Sequence, residues 1–198
     1  MAPTSHPSGW AHADGALRGP AWLSPPQDPN ALVEHLWSQT ARKVDGVLEV
    51  GGIAVTDLVA EHGSPAYVLD EADFRSRARA FRDGFADFDV YYAGKAFLCA
   101  TVARWIQQEG LCLDVCSNGE LSVAQRVGFP MERVGYHGNN KSTVELQRAI
   151  ELGVGRIVID SFDEIERLAD LVSEGDGSGD RVGVMVRVTA GVEAHTHE

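Results

Sequence analysis

Long apolar runs are missing from this 198-residue chain. No stretch approaches the ~20 residues that cross a bilayer as a helix, so no membrane partner is expected. Met1 to Pro26 holds no apolar core behind a basic start, so no secretory leader is expected either. Positive charge is scarce: 17 Lys and Arg stand against 29 Asp and Glu, a net charge of −12. Nucleic acids and anionic lipid surfaces are gripped by basic patches, which argues against both as partners. Cysteine is scarce as well. Cys99, Cys112 and Cys116 are odd in number and lie in apolar runs, which reads as buried thiols of a reduced, cytoplasmic protein. Cys112 and Cys116 lack the second Cys/His pair of a structural zinc site, so no metal is expected there.

What is present is enough apolar residue, 44%, for one sizeable core. Residues 1–30 are rich in Pro, Gly, Ser and Ala without periodicity, and read as a disordered arm. Residues 31–70 form a strand/helix segment: a short strand near Gly46 to Val50, a helix over Val55 to His62, and an extended piece from Pro65 to Leu69. From residue 71 the pattern is regular. Phe74, Ala78, Phe81 and Phe85 fall on one helix face. Five strand-like runs then recur about every 23 residues, an internal repeat. They are Asp89–Lys95, Leu111–Cys116, Val134–Gly138, Arg156–Asp160 and Arg181–Thr189, with helical stretches between them. The clearest helix carries Phe162, Ile165, Leu168, Ala169 and Val172 on one face. Gly175 to Asp180 reads as a loop.

Repeated βα units imply a parallel sheet, either open and doubly wound or closed as a (β/α)8 TIM barrel. In the second run Leu111, Leu113 and Val115 oppose Cys112, Asp114 and Cys116. In the fifth, Val182, Val184, Val186 and Val188 oppose Gly183, Met185, Arg187 and Thr189. One apolar face and one face of small and polar groups favours the barrel, because a sheet covered on both sides reads apolar throughout. Such a barrel needs ~250 residues and eight strands. With five βα units in sight, residues 71–198 are expected to be an incomplete barrel, and the chain a fragment.

In barrels the active site lies at the carboxyl ends of the strands. Those ends carry Lys95, Asp114, His137, Asp160 and Arg187, of which Lys95, Asp114 and Arg187 are expected to face inward. Polar residues are common where strands meet solvent, so the placement alone assigns nothing. Lys95 stands out because Ala93, Gly94 and Ala96 surround it. Apolar surroundings lower a lysine's pKa and free its amine to attack a carbonyl. P-loop, dinucleotide-fingerprint, nucleophile-elbow and HExxH patterns are all missing. His195-Thr196-His197-Glu198 lacks the helical spacing of a metal site.

Tyr92-Ala93-Gly94-Lys95-Ala96-Phe97 resembles the cofactor-lysine motif of the alanine-racemase-like, fold-type III pyridoxal-phosphate decarboxylases. Leu113-Asp114-Val115-Cys116-Ser117-Asn118-Gly119-Glu120-Leu121 is similar to the second-strand motif of that group. His137-Gly138-Asn139-Asn140-Lys141-Ser142 and the run Arg187 to His197 resemble the diaminopimelate decarboxylases within it. The similarity spans about residues 45–198.

The resemblance implies pyridoxal 5'-phosphate as cofactor and Lys95 as its Schiff-base lysine. Asp114, Glu120, His137 and Arg187 would line the pocket. For Glu120 the alternative is a helix brace, and for Asn139 and Asn140 a turn. The implied reaction is decarboxylation of meso-2,6-diaminopimelate to L-lysine, the final step of lysine biosynthesis, in a homodimer whose small-molecule partner is that amino acid. The alternatives are another fold-III decarboxylase, of ornithine, arginine or carboxynorspermidine, or a non-enzymatic pyridoxal-phosphate-binding barrel. The family's phosphate loop, ring-stacking histidine and C-terminal β-domain have no counterpart here, so the fragment alone is expected to be inactive.

Overall fold

A computed structural model describes residues 31–174, 182–188 and 191. The arm over 1–30, the loop Gly175–Asp180 and the cluster His195–Glu198 lie outside them. The chain divides into two compact units, Met1–Val68 and Leu69–Glu198.

The first unit is built on two tight turns. β1 (Arg42–Val44), β2 (Val47–Val50) and β3 (Ile53–Ala54) form an antiparallel meander. Asp45-Gly46 joins β1 to β2 with φ of 50° and 82°, and Gly51-Gly52 joins β2 to β3 with φ of 63° and 81°. Two-residue hairpin loops need positive φ at both positions, and these sequences supply it. Helix α1 (Val55–His62) follows at the expected residues, and buries none of them. It stops at Gly63, whose N–H donates to the Val59 carbonyl.

The second unit holds five parallel strands: β4 (Tyr91–Ala93), β5 (Cys112–Val115), β6 (Val134–Tyr136), β7 (Arg156–Ile159) and β8 (Val184–Val186). They lie side by side in chain order. A doubly wound sheet reverses its order at a switch point. This one does not, which is the barrel's way of winding. Helix α2 (Glu71–Gly84) precedes β4. Then α3 (Ala100–Gln108), α4 (Asn118–Arg126), α5 (Thr143–Glu151) and α6 (Phe162–Glu174) connect successive strands.

The expected alternation holds in β5, while in the last strand Val184, Met185 and Val186 are all exposed and no buried face forms. Leu113, Val115, Val134, Tyr136 and Ile157 are wholly buried on the helix side, against Val102, Ile106, Leu121, Leu146 and Leu168. Each of the aliphatic side chains among them contributes about 1.5–3 kcal/mol by leaving water. The opposite face carries Tyr91, Ala93, Asp114 and Gly135. A Cβ on Gly135 would stand 3.1 Å from the Tyr91 ring and 3.8 Å from Asp114 Oδ1.

Four expectations need correction. The α2 stripe buries only Ala78, while Phe81 and Phe85 are exposed and stack on each other. On α6 only Leu168 of the expected stripe is buried; Phe162, Ile165 and Val172 are exposed, and Glu164 goes inside with Leu168. The helix's sequence stripe lines an open apolar groove shared with Val182 and Val184, without a cover among the described residues. The last strand spans only three residues. Of the cysteines only Cys112 is buried; Cys99 is half-buried and Cys116 exposed, because it stands beyond the end of β5.

Candidate active site

The carboxyl edge of the sheet is set by one device used three times. After β5, the Ser117 hydroxyl accepts from Glu120 N at 3.3 Å, and the Glu120 carboxylate accepts from Cys116 N at 2.6 Å. After β6, Ser142 and Glu145 form a reciprocal capping box, with Ser142 N donating to Glu145 at 2.9 Å. After β7, Ser161 accepts from Glu164 N at 3.3 Å, and Glu164 accepts from Asp160 N at 2.9 Å. Glu120 and Glu164 each tie the first turn of a helix to the residue just after the preceding strand, whereas Glu145 closes the N-cap of its own helix at Ser142. Glu120 is thus a brace. Ser-x-x-Glu before three helices was a legible signal, and only Glu120 had been singled out.

Lys95 does not sit on a strand. β4 ends at Ala93, and Gly94–Ala96 form a single 3-10 turn beyond it. That turn is pressed against the next strand, where a Cβ on Gly94 would stand 2.8 Å from the Asp114 carbonyl oxygen. Only glycine fits there without displacing backbone. The Tyr92 hydroxyl donates to the Phe97 carbonyl at 2.7 Å and closes the turn from the other side. Gly94 is buried, but Lys95, Ala96 and Phe97 are exposed. The expected apolar envelope around the amine is not formed by its sequence neighbours, because the turn leaves Lys95, Ala96 and Phe97 exposed.

Asp114 stands on that face at the end of β5, and its Oδ2 lies 3.5 Å from His137 Nδ1. His137 is held by its own N–H, which donates to the Val115 carbonyl at 2.7 Å. Burial pushes the Asp114 carboxyl above its ordinary value; the His137 ring and the Lys95 charge pull the other way, and Glu120 adds to the rise. Lys95 is thus within electrostatic reach of Asp114, and Lys95, Asp114 and His137 form one group. Arg187, also exposed, pairs instead with Asp160, Nη1 to Oδ1 3.0 Å. Its backbone N–H donates to the Ile159 carbonyl at 2.9 Å. The five expected residues are therefore arranged as a trio and a pair along the same edge.

Two features escaped the sequence reading. Lys141 lies between trio and pair and is only 2% exposed. Its ammonium donates to the Gly138 and Val158 carbonyls at 2.7 Å each and meets Glu164 Oε1 at 2.8 Å. All three of its protons are spoken for, so it is no nucleophile. The second feature is the scarcity of lysine: the whole chain holds Lys43, Lys95 and Lys141. With Lys141 buried and Lys43 in the other unit, Lys95 is the one amine of the second unit that an aldehyde can reach. An amine, an acid–imidazole pair and a guanidinium on an edge floored by Ala93 and Gly135 are suited to a flat, anionic carbonyl compound.

Residues 71–198 match the family described as pyridoxal-dependent decarboxylase, pyridoxal binding domain. Diaminopimelate decarboxylase of Mycobacterium tuberculosis is 52% identical over 169 residues, which cover 84% of this chain and 37% of that protein. Its Mycobacterium leprae counterpart is 47% identical over 197 residues, 98% of this chain and 41% of that one. This chain thus spans about two fifths of the length of the curated relatives it matches. Among solved structures, diaminopimelate decarboxylase of M. jannaschii in complex with L-lysine superposes with a TM-score of 0.69 at 24% identity. That match covers 75% of this chain and 36% of the other, and it bears on the fold alone. A wall of sequential parallel strands, a reachable lysine beside the second strand, and the match over residues 71–198 converge: the chain belongs to the pyridoxal-dependent decarboxylases.

Proposed function

We propose that this chain supplies the cofactor-lysine part of a diaminopimelate decarboxylase, which converts meso-2,6-diaminopimelate to L-lysine. The observation that carries the proposal is Lys95, the reachable amine of the second unit, backed directly onto the strand that presents Asp114. The names of the relatives, 45–52% identical, supply the substrate.

When bound, pyridoxal phosphate supplies an electron sink for the carbanion that loss of CO2 leaves. This chain's residues bind and orient. Lys95 is the covalent anchor. Asp114 faces His137 Nδ1 and holds the ring in one orientation. Arg187, steadied by Asp160, presents a rigid fork of donors to an anionic group. Residues 71–198 are the cofactor-binding part, and 31–70 would join the β-domain of the longer protein. Reading the chain as one part of a homodimeric, cytoplasmic enzyme follows the family resemblance and the free thiols. Among the described residues no helix is long and apolar enough to cross a membrane.

Borohydride reduction of the chain with pyridoxal phosphate, followed by peptide mass mapping, tests the anchor. A pyridoxyl group on Lys95, absent in Lys95→Ala, is the expected result; labelling confined to Lys43 would sink the assignment. The 198-residue chain alone is expected to release no lysine from diaminopimelate, because it spans about two fifths of its relatives. Measurable lysine production would overturn that expectation.

A further inference from the structure

The Lys141–Glu164 pair occupies the gap between the two groups of the candidate site. The β6–β7 ladder ends with Tyr136 paired to Ile157. Just beyond it, the carbonyls of Gly138 and Val158 have no strand neighbour in that ladder, and the Lys141 ammonium takes both at 2.7 Å. Gly138 follows His137 directly. Its φ of 127° makes a sharp bend that this bond holds in place. On the other side, Glu164 uses Oε1 for Lys141 at 2.8 Å and Oε2 for the N–H of Asp160 at 2.9 Å. Asp160 in turn grips Arg187. The Lys141 carbonyl is itself taken by Arg167 of α6 at 2.6 Å, so both ends of Lys141 are tied to the same helix.

Burying an ion pair this completely gains little stability over a well-packed apolar pair of the same size. Four directed bonds from two side chains instead fix the geometry of what they touch. We infer that Lys141 and Glu164 are positioning residues, which set the bend carrying His137 and the acid holding Arg187 relative to each other. This rests on the reading of His137 and Arg187 as cofactor-lining residues.

The test is NMR of the whole chain without cofactor, observing the His137 ring and the Arg187 Nε–H. In Glu164→Gln both signals are expected to move. In Glu109→Gln, which removes a buried carboxylate's charge at the opposite end of the sheet, neither is expected to move. Wild-type positions for both signals in folded Glu164→Gln, or equal shifts in Glu109→Gln, would overturn the inference. Should Glu164→Gln fail to fold, Lys141→Met combined with Glu164→Gln removes the charge from both partners. There the Asp160 N–H keeps an acceptor, so the His137 signal should shift and the Arg187 signal should stay; a fixed His137 signal would count against the inference. Borohydride labelling reports on the site separately: a failure to label Lys95 would remove the cofactor reading and leave the NMR outcome standing.

Discussion

The two faces of the five-stranded sheet are made by the same strands and differ in almost every physical respect. Toward the helices, Leu113, Val115, Val134, Tyr136 and Ile157 are sealed from water. Toward the other side, Asp114 retains access to water and Lys95 and Arg187 are exposed. The first face holds the unit together. The second displays groups whose charges are incompletely matched, which costs stability and leaves them available. A strand's period of two allows both on the same four residues.

That contrast predicts a ranking of substitutions. Leu113→Ala, on the sealed face, should cost about 2–5 kcal/mol, because a wholly buried leucine leaves a cavity its neighbours cannot fill. Glu164→Gln should cost about 3 kcal/mol by stranding the buried Lys141 charge, although both residues sit at the polar edge. Both are read by urea denaturation, and a cost for Leu113→Ala below that of Glu164→Gln would reverse the comparison.

Glu109→Gln should cost less, about 1–2 kcal/mol, since its partners Arg75 and Arg79 remain partly hydrated. Burial pushes the Glu109 carboxyl up, but hydrogen bonds and charge from Arg75 and Arg79 outweigh it and hold it below its ordinary value of 4.5. A depressed folded value means the contribution is intact above 4.5 and is lost as pH falls below it. The difference between wild type and Glu109→Gln should therefore shrink on acidification.

Asp114→Asn should behave in the opposite sense. Its folded value lies above the ordinary 3.8, chiefly through burial, so the ionised carboxylate costs stability at neutral pH. The variant should gain a few tenths to about 1 kcal/mol near pH 7, with the gain vanishing as pH falls through the carboxylate range. A loss of stability at neutral pH would mean that Asp114 is held by more than His137. Lys95→Ala should change stability least, within about 0.5 kcal/mol, because the side chain is exposed. A large loss there would break the division between faces.

The architecture was legible because periodicity reports on burial. The alternation of Leu113 and Val115 with Asp114 placed both faces correctly, and the run Val55–His62 formed a helix at the stated residues. Where pattern and burial part company, the sequence misled. Phe162, Ile165, Leu168 and Val172 make a clean apolar stripe, yet of these only Leu168 goes inside, and Glu164 goes with it. A buried carboxylate is invisible to hydropathy; it becomes readable only as part of Ser161-Phe162-Asp163-Glu164, a capping signature. Lys141 was hidden for the same reason, since lysines are almost never buried unless paired, and its partner is distant in sequence. Lys95 was found through its motif, but its exposure was not foreseen: small neighbours mark room for a ligand, and room is a different thing from shelter.

The glycine before Lys95 has a mechanical consequence. Its α-carbon rests on the Asp114 main chain with no space for even a methyl group between them. The separation of the Lys95 and Asp114 main chains therefore contains no rotamer and no flexible linker. Thermal motion of either side chain changes where its charge points, but the hinge points stay put unless β4 and β5 part. A tolerance that tight, written in backbone, survives the surface substitutions that would loosen one written in side chains.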